Sequence, residues 1–103
     1  VDAAAAEVQQ RFPDEAKPLY GIVNNAGIGP GNGIAPILAT NLYGAMHVCE
    51  AFLPLLQKPG GRVVNIASAS GPMFVADLPP SAEGRRVLTH PLESSHDELM
   101  ALA

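Results

Sequence analysis

Two short apolar runs, each ending in polar residues and joined by one amphipathic helical pattern, constrain this chain most. The first run is Leu19-Tyr20-Gly21-Ile22-Val23, and it leads into Asn24-Asn25-Ala26-Gly27. The second is Arg62-Val63-Val64-Asn65-Ile66-Ala67, and it leads into Ser68-Ala69-Ser70-Gly71. Between them, Ile34, Ile37, Leu38, Ala45, Val48, Cys49, Phe52 and Leu56 recur at three- and four-residue steps, which predicts a helix over 35–56. Strand, crossover helix and strand make a βαβ unit, which is right-handed and parallel in nearly all cases. Parallel strands end at the same sheet edge, where open α/β sheets bind ligands. Both polar runs are therefore expected to face one site.

The rest of the chain is read around this unit. Asp2 to Phe12 predicts a helix capped by Asp2, with Val8 and Phe12 on one face, and Pro13 stops it. The first strand is continuous in apolar character, as a strand buried on both faces should be. Gly27 to Gly33 reads as a flexible loop. Pro54 removes a backbone donor, so a kink or early stop is expected near it. Pro59-Gly60-Gly61 makes the turn into the second strand. Pro72 to Pro91 holds four prolines, one glycine and no clear periodicity, and reads as irregular. Ser95-His96-Asp97-Glu98 has the form of a capping box, which predicts a helix starting near His96.

Composition excludes several function classes. The 103 residues allow at most one small domain. Ten acidic and six basic residues give a net charge of −4, with no basic cluster beyond Arg85-Arg86. Neither nucleic acid nor an anionic membrane is an expected partner. No apolar run approaches the roughly 18 residues of a membrane span. The lone cysteine, Cys49, fits a reducing compartment, and a cytoplasmic location is expected. The chain begins without Met and ends on an apolar run, and is read as a piece of a longer protein.

The candidate chemistry lies in the polar runs. An Asn at a strand end can tie neighbouring loops or bond a ribose or base, and small residues after it let a ligand approach the backbone. A plain turn explains Asn24–Gly27 equally well. Asn41 stands within the apolar stripe, between Leu38 and Ala45. A buried amide without partners costs about 1–3 kcal/mol, so Asn41 should bond something specific. Taken alone, the residue favours a structural bond to a neighbouring backbone group. Ser68 or Ser70 can donate to a substrate oxygen, act as a nucleophile given a base in reach, or simply shape a turn. His47, His90 and His96 are expected to be structural or solvated. His90, Glu93, His96 and Asp97 match no zinc spacing, so no metal site is expected. The Gly27-Ile28-Gly29-Pro30-Gly31 cluster lacks the spacing of a dinucleotide loop.

Three motifs in order resemble the short-chain dehydrogenase/reductase family. Asn24-Asn25-Ala26-Gly27 matches its NNAG motif, and Thr40-Asn41-Leu42-Tyr43-Gly44 matches the stretch around its helical active-site Asn. Leu53-Pro54-Leu55-Leu56 followed by Gly60 to Ser68 matches the run into its catalytic serine. The resemblance covers roughly Val1 to Gly71. The Pro-rich stretch and final helix are similar to an insertion in carbonyl reductase-like members. The resemblance implies an α/β fold, part of a Rossmann-type doubly wound parallel sheet. It implies hydride transfer between NADP or NAD, NADP favoured, and a small carbonyl or alcohol. Ser68 would orient the substrate oxygen, with Ala67 in place of the family's first serine. Asn41 would help hold a water in the proton relay, and Asn25, Ala26 and Gly27 would lie against the cofactor. The family's T-G-x-x-x-G-x-G loop and Y-x-x-x-K pair are not in this sequence. A non-catalytic nucleotide-binding or interaction module of the same fold is the second reading, and an unrelated α/β protein the third.

Overall fold

Gly21–Asn24 (β1) and Arg62–Asn65 (β2) pair in parallel, in the register Gly21↔Arg62 through Asn24↔Asn65. The structure, a computed structural model, describes residues 1–102. Leu19 extends the pairing before β1: its N–H donates to the Leu55 carbonyl at 3.1 Å, and its carbonyl accepts from Gln57 N–H at 2.8 Å. The chain forms two compact units, Val1–Ile66 and a second from Ala67 onward. The βαβ core lies wholly within the first.

The crossover is helical from Ile34 to Leu55, but its winding changes along the way. Ile34–Leu38 (α2) leads into a π-helical turn at Ala39–Gly44, then Ala45–Phe52 (α3), then a 3₁₀ turn at Leu53–Leu55. Pro54 marks the expected early stop: α3 ends before it, and Leu56 is extended, with ψ 136°. The return into β2 depends on two glycines. Gly60 has φ 112°, and a Cβ at Gly61 would lie 2.5 Å from both the Gln57 carbonyl oxygen and Leu56 Cγ.

Asp2–Arg11 (α1) packs on α3. The expected Asp2 cap is corrected, since Val1 holds the cap position. Asp2 lies in the first turn, where a carboxylate suits the helix dipole, and its Oδ1 is 3.4 Å from His47 Nε2 of α3. Ala5, Ile22, Leu55 and Leu56 form the core of this unit.

Burial of both strand faces is also corrected. Ile22 is 7% exposed, whereas Val23 on the opposite face is 63% exposed, and all of β2 is exposed. The alternation of a strand puts Ile22 and Asn24 on the face of β1 toward α3, whose Cys49 touches Asn24.

The second unit corrects the irregular reading of Pro72 to Pro91. It contains Ser70–Asp77 (α4), Glu83–Thr89 (α5) and His96–Met100 (α6). The prolines punctuate these helices rather than prevent them. Pro72 is the third residue of α4, where a backbone N–H would have no partner in the helix. Leu78 precedes Pro79 and is extended, with ψ 141°, as a residue before proline favours. Pro91 follows the end of α5. The capping box forms as expected: Ser95 Oγ accepts from Glu98 N–H at 3.1 Å, and Glu98 Oε2 accepts from Ser95 N–H at 2.8 Å. Arg86 joins α5 to α6 by donating to Glu83 and Glu98. The Ser95 backbone N–H, the Arg86 guanidinium and the Ser95 hydroxyl together lower the Glu98 carboxyl to about 2. These groups are solvent-exposed, so they order two short helices without adding much stability.

Candidate active-site edge

The C-terminal ends of β1 and β2 meet at the register pair Asn24↔Asn65. Directly opposed residues of paired strands project on the same face of the sheet, so the two amides come together. Asn24 Nδ2 donates to Asn65 Oδ1 at 2.7 Å and to Cys49 Sγ of α3 at 3.3 Å. The Ile66 N–H donates to the Asn24 carbonyl at 3.0 Å, the last ladder bond before the chains part. One side chain thus links both strand ends and the crossover helix.

Asn25 and Ala26 leave the sheet at this point. They line a cavity of about 270 Å³ together with Val23, Thr40, Ala45 and Val48. Ligand pockets run from about 300 to 1,000 Å³, so the cavity suits one part of a larger ligand. Its walls are mostly apolar, with the Asn24 and Asn25 amides and the Thr40 hydroxyl as polar side chains. A base or sugar fits this chemistry better than a phosphate, because no cationic side chain lines it.

Asn41 sits in the π-helical turn, beside Thr40. Its Oδ1 accepts from the Ile28 N–H at 2.9 Å, and its Nδ2 donates to the Ile28 carbonyl at 3.0 Å. Both ends of the amide are used on one residue of the loop after β1. A Cβ at Gly27 would lie 3.5 Å from Asn41 Oδ1. The helix therefore holds the loop through Gly27 and Ile28. Asn25, Ala26, Gly27 and Asn41 are gathered at one end of the first unit.

Ser68 belongs to the second unit. It is exposed, its Oγ accepts from the Ser70 N–H at 3.1 Å, and its carbonyl accepts from the Gly71 N–H at 3.2 Å. The residue thus shapes the turn into α4. Its hydroxyl hydrogen goes to no other described residue.

The histidines are placed on the surface, and among the described residues no group of His, Cys, Asp and Glu could hold a metal ion. Among them, too, no helix is long and apolar enough to cross a membrane. Sequence reasoning missed the Asn24–Asn65 pair. The available signal was an Asn directly after Val23 in the first run and directly after Val64 in the second.

Residues 1–80 match the model of the family described as short chain dehydrogenase. The chain is similar to mitochondrial D-beta-hydroxybutyrate dehydrogenase of Bos taurus, with 40% identity covering 71% of this chain and 24% of the bovine protein. It is similar to retinol dehydrogenase 7 of Rattus norvegicus, with 42% identity covering 69% of this chain and 25% of the rat protein. It is also similar to 3beta-hydroxysteroid dehydrogenase dhs-16 of Caenorhabditis elegans, with 38% identity covering 69% of this chain and 21% of that protein. The chain spans about a quarter of the length of these relatives. No solved structure matches it.

Proposed function

The chain belongs to the short-chain dehydrogenase family, and from that membership we propose that the protein carrying it is an oxidoreductase interconverting a carbonyl and an alcohol with NADP or NAD. The observation that carries this reading is the cavity where Asn25 and Ala26 leave a parallel strand pair. That edge is where open α/β sheets take nucleotides. The names of the relatives, a hydroxybutyrate, a retinol and a hydroxysteroid dehydrogenase, support an alcohol or its carbonyl as substrate class. The likeness of the Pro-rich stretch to the carbonyl reductase-like insertion favours NADP.

The cofactor supplies the hydride when bound. The residues of this chain bind and orient. Asn25, Ala26 and Gly27 form the wall against it, and small side chains at 26 and 27 leave the backbone open to close approach. Asn41 fixes that wall through Ile28 and takes a place in holding a relay water. Ser68 donates its hydroxyl hydrogen to the substrate oxygen, on which negative charge develops during reduction.

Enlarging the wall tests this reading. In the whole protein, Ala26→Leu is expected to raise the cofactor KM by about tenfold or more, because the added carbons occupy ligand space. Turnover at saturating cofactor should fall much less. Steady-state oxidation of NADPH and NADH with a panel of aldehydes and ketones gives both constants. An unchanged cofactor KM would take Ala26 out of the binding wall.

A further inference from the structure

We infer that Asn65 is a positioning residue, which sets the cofactor wall at Asn25–Gly27 by holding the amide of Asn24. The inference rests on the reading that this wall binds the cofactor. Asn24 Nδ2 has two hydrogens, and both are spent: one on Asn65 Oδ1 at 2.7 Å, the other on Cys49 Sγ at 3.3 Å. The acceptors belong to β2 and α3, so the amide joins three elements at the last rung of the sheet.

The oxygen is the stronger acceptor of the two, because thiol sulfur accepts weakly. Beyond this rung the strands part, and one ladder bond follows, from the Ile66 N–H to the Asn24 carbonyl. Asn24 is half-buried but its bond to Asn65 is exposed, so on loss of Asn65 Oδ1 that hydrogen passes to water and the side-chain tie to β2 is gone. Cys49 Sγ, a weak acceptor, is then left to hold the Asn24 side chain, and the strand end shifts. The next two residues are Asn25 and Ala26, which line the cavity. A change at the sheet pair is therefore felt first at the wall. Asn65 itself does not line the cavity, so it acts through Asn24.

Two substitutions separate this role from general support of the fold. Asn65→Leu keeps the four-heavy-atom side chain branched at Cγ and removes the acceptor. Asn65→Asp keeps an oxygen where Asn24 donates. In the whole protein, Asn65→Leu is expected to raise the cofactor KM roughly fivefold to tenfold, the scale of one lost hydrogen bond, with kcat within about twofold. Asn65→Asp should return KM to within about twofold of the original. Amide resonances of the ¹⁵N-labelled protein provide a readout that needs no activity. The Asn24 side chain and the Asn25–Gly27 backbone should shift in Asn65→Leu and return in Asn65→Asp. A fall in kcat with unchanged KM, or an Asp variant that behaves like the Leu variant, overturns the inference. Unmoved Asn25–Gly27 resonances in Asn65→Leu overturn it as well. A protein that turns over neither cofactor contradicts the proposed function instead, and the resonances still decide whether Asn65 positions the wall.

Discussion

Ser68→Ala in the whole protein should lower turnover by about 10²–10³, the usual cost of losing one donor to a developing oxyanion. Cofactor affinity should stay nearly unchanged, because the hydroxyl is assigned to the substrate oxygen and not to the dinucleotide. The substitution also removes the acceptor for the Ser70 N–H at the start of α4. A loss could then come from a disturbed turn rather than a lost donor. Ser68→Thr restores both the acceptor and the hydroxyl hydrogen and should recover turnover, and the state of the fold in Ser68→Ala separates a disturbed turn from a lost donor. Helicity by circular dichroism reports the turn separately. Steady-state kinetics with a simple aldehyde or ketone are the readout. Near-normal turnover of the alanine variant removes Ser68 from the mechanism.

The 103-residue chain by itself should neither bind NADP(H) or NAD(H) tightly nor reduce carbonyls. Its sequence has no T-G-x-x-x-G-x-G loop, so it lacks the backbone N–H groups that cradle a pyrophosphate at a helix N-terminus. Its only tyrosines are Tyr20 and Tyr43, and the residues four positions on are Asn24 and His47 rather than Lys. No general acid of the Y-x-x-x-K type can protonate a product alkoxide. The Ser68 hydroxyl is too weak an acid to replace it at neutral pH. Isothermal titration with each cofactor and an absorbance assay of cofactor oxidation are the measurements. Micromolar binding with measurable turnover would show that the chain carries a complete site.

The strand pair was legible in the sequence because both runs are short, apolar and separated by one helical period. Their parallel orientation follows from the length of the crossover. Asn41 was legible as an amide with a specific partner, but the exposed place it takes was not, since the apolar stripe predicts a buried one. Its partner, the Ile28 backbone, was not, because the fold of the glycine-rich loop sets that contact. Asn24 and Asn65 were each read within their own runs. Their pairing depends on strand register, which a single-residue slip would abolish. The helices α4 and α5 were missed because segments of eight and seven residues span barely two turns. Periodicity needs a longer window, and the prolines between them dominated the reading. The exposed face of Val23 and Val64 shows the same limit: apolar character was visible, but not what stands against it.

Hydrogen–deuterium exchange of the whole protein, with and without NADPH and NADH, tests the placement of the cofactor most directly. One of the two cofactors should slow exchange across Asn25–Ile28, where the wall and the Asn41 contact lie. Protection elsewhere with no change across Asn25–Ile28, or no protection by either cofactor, would contradict the account.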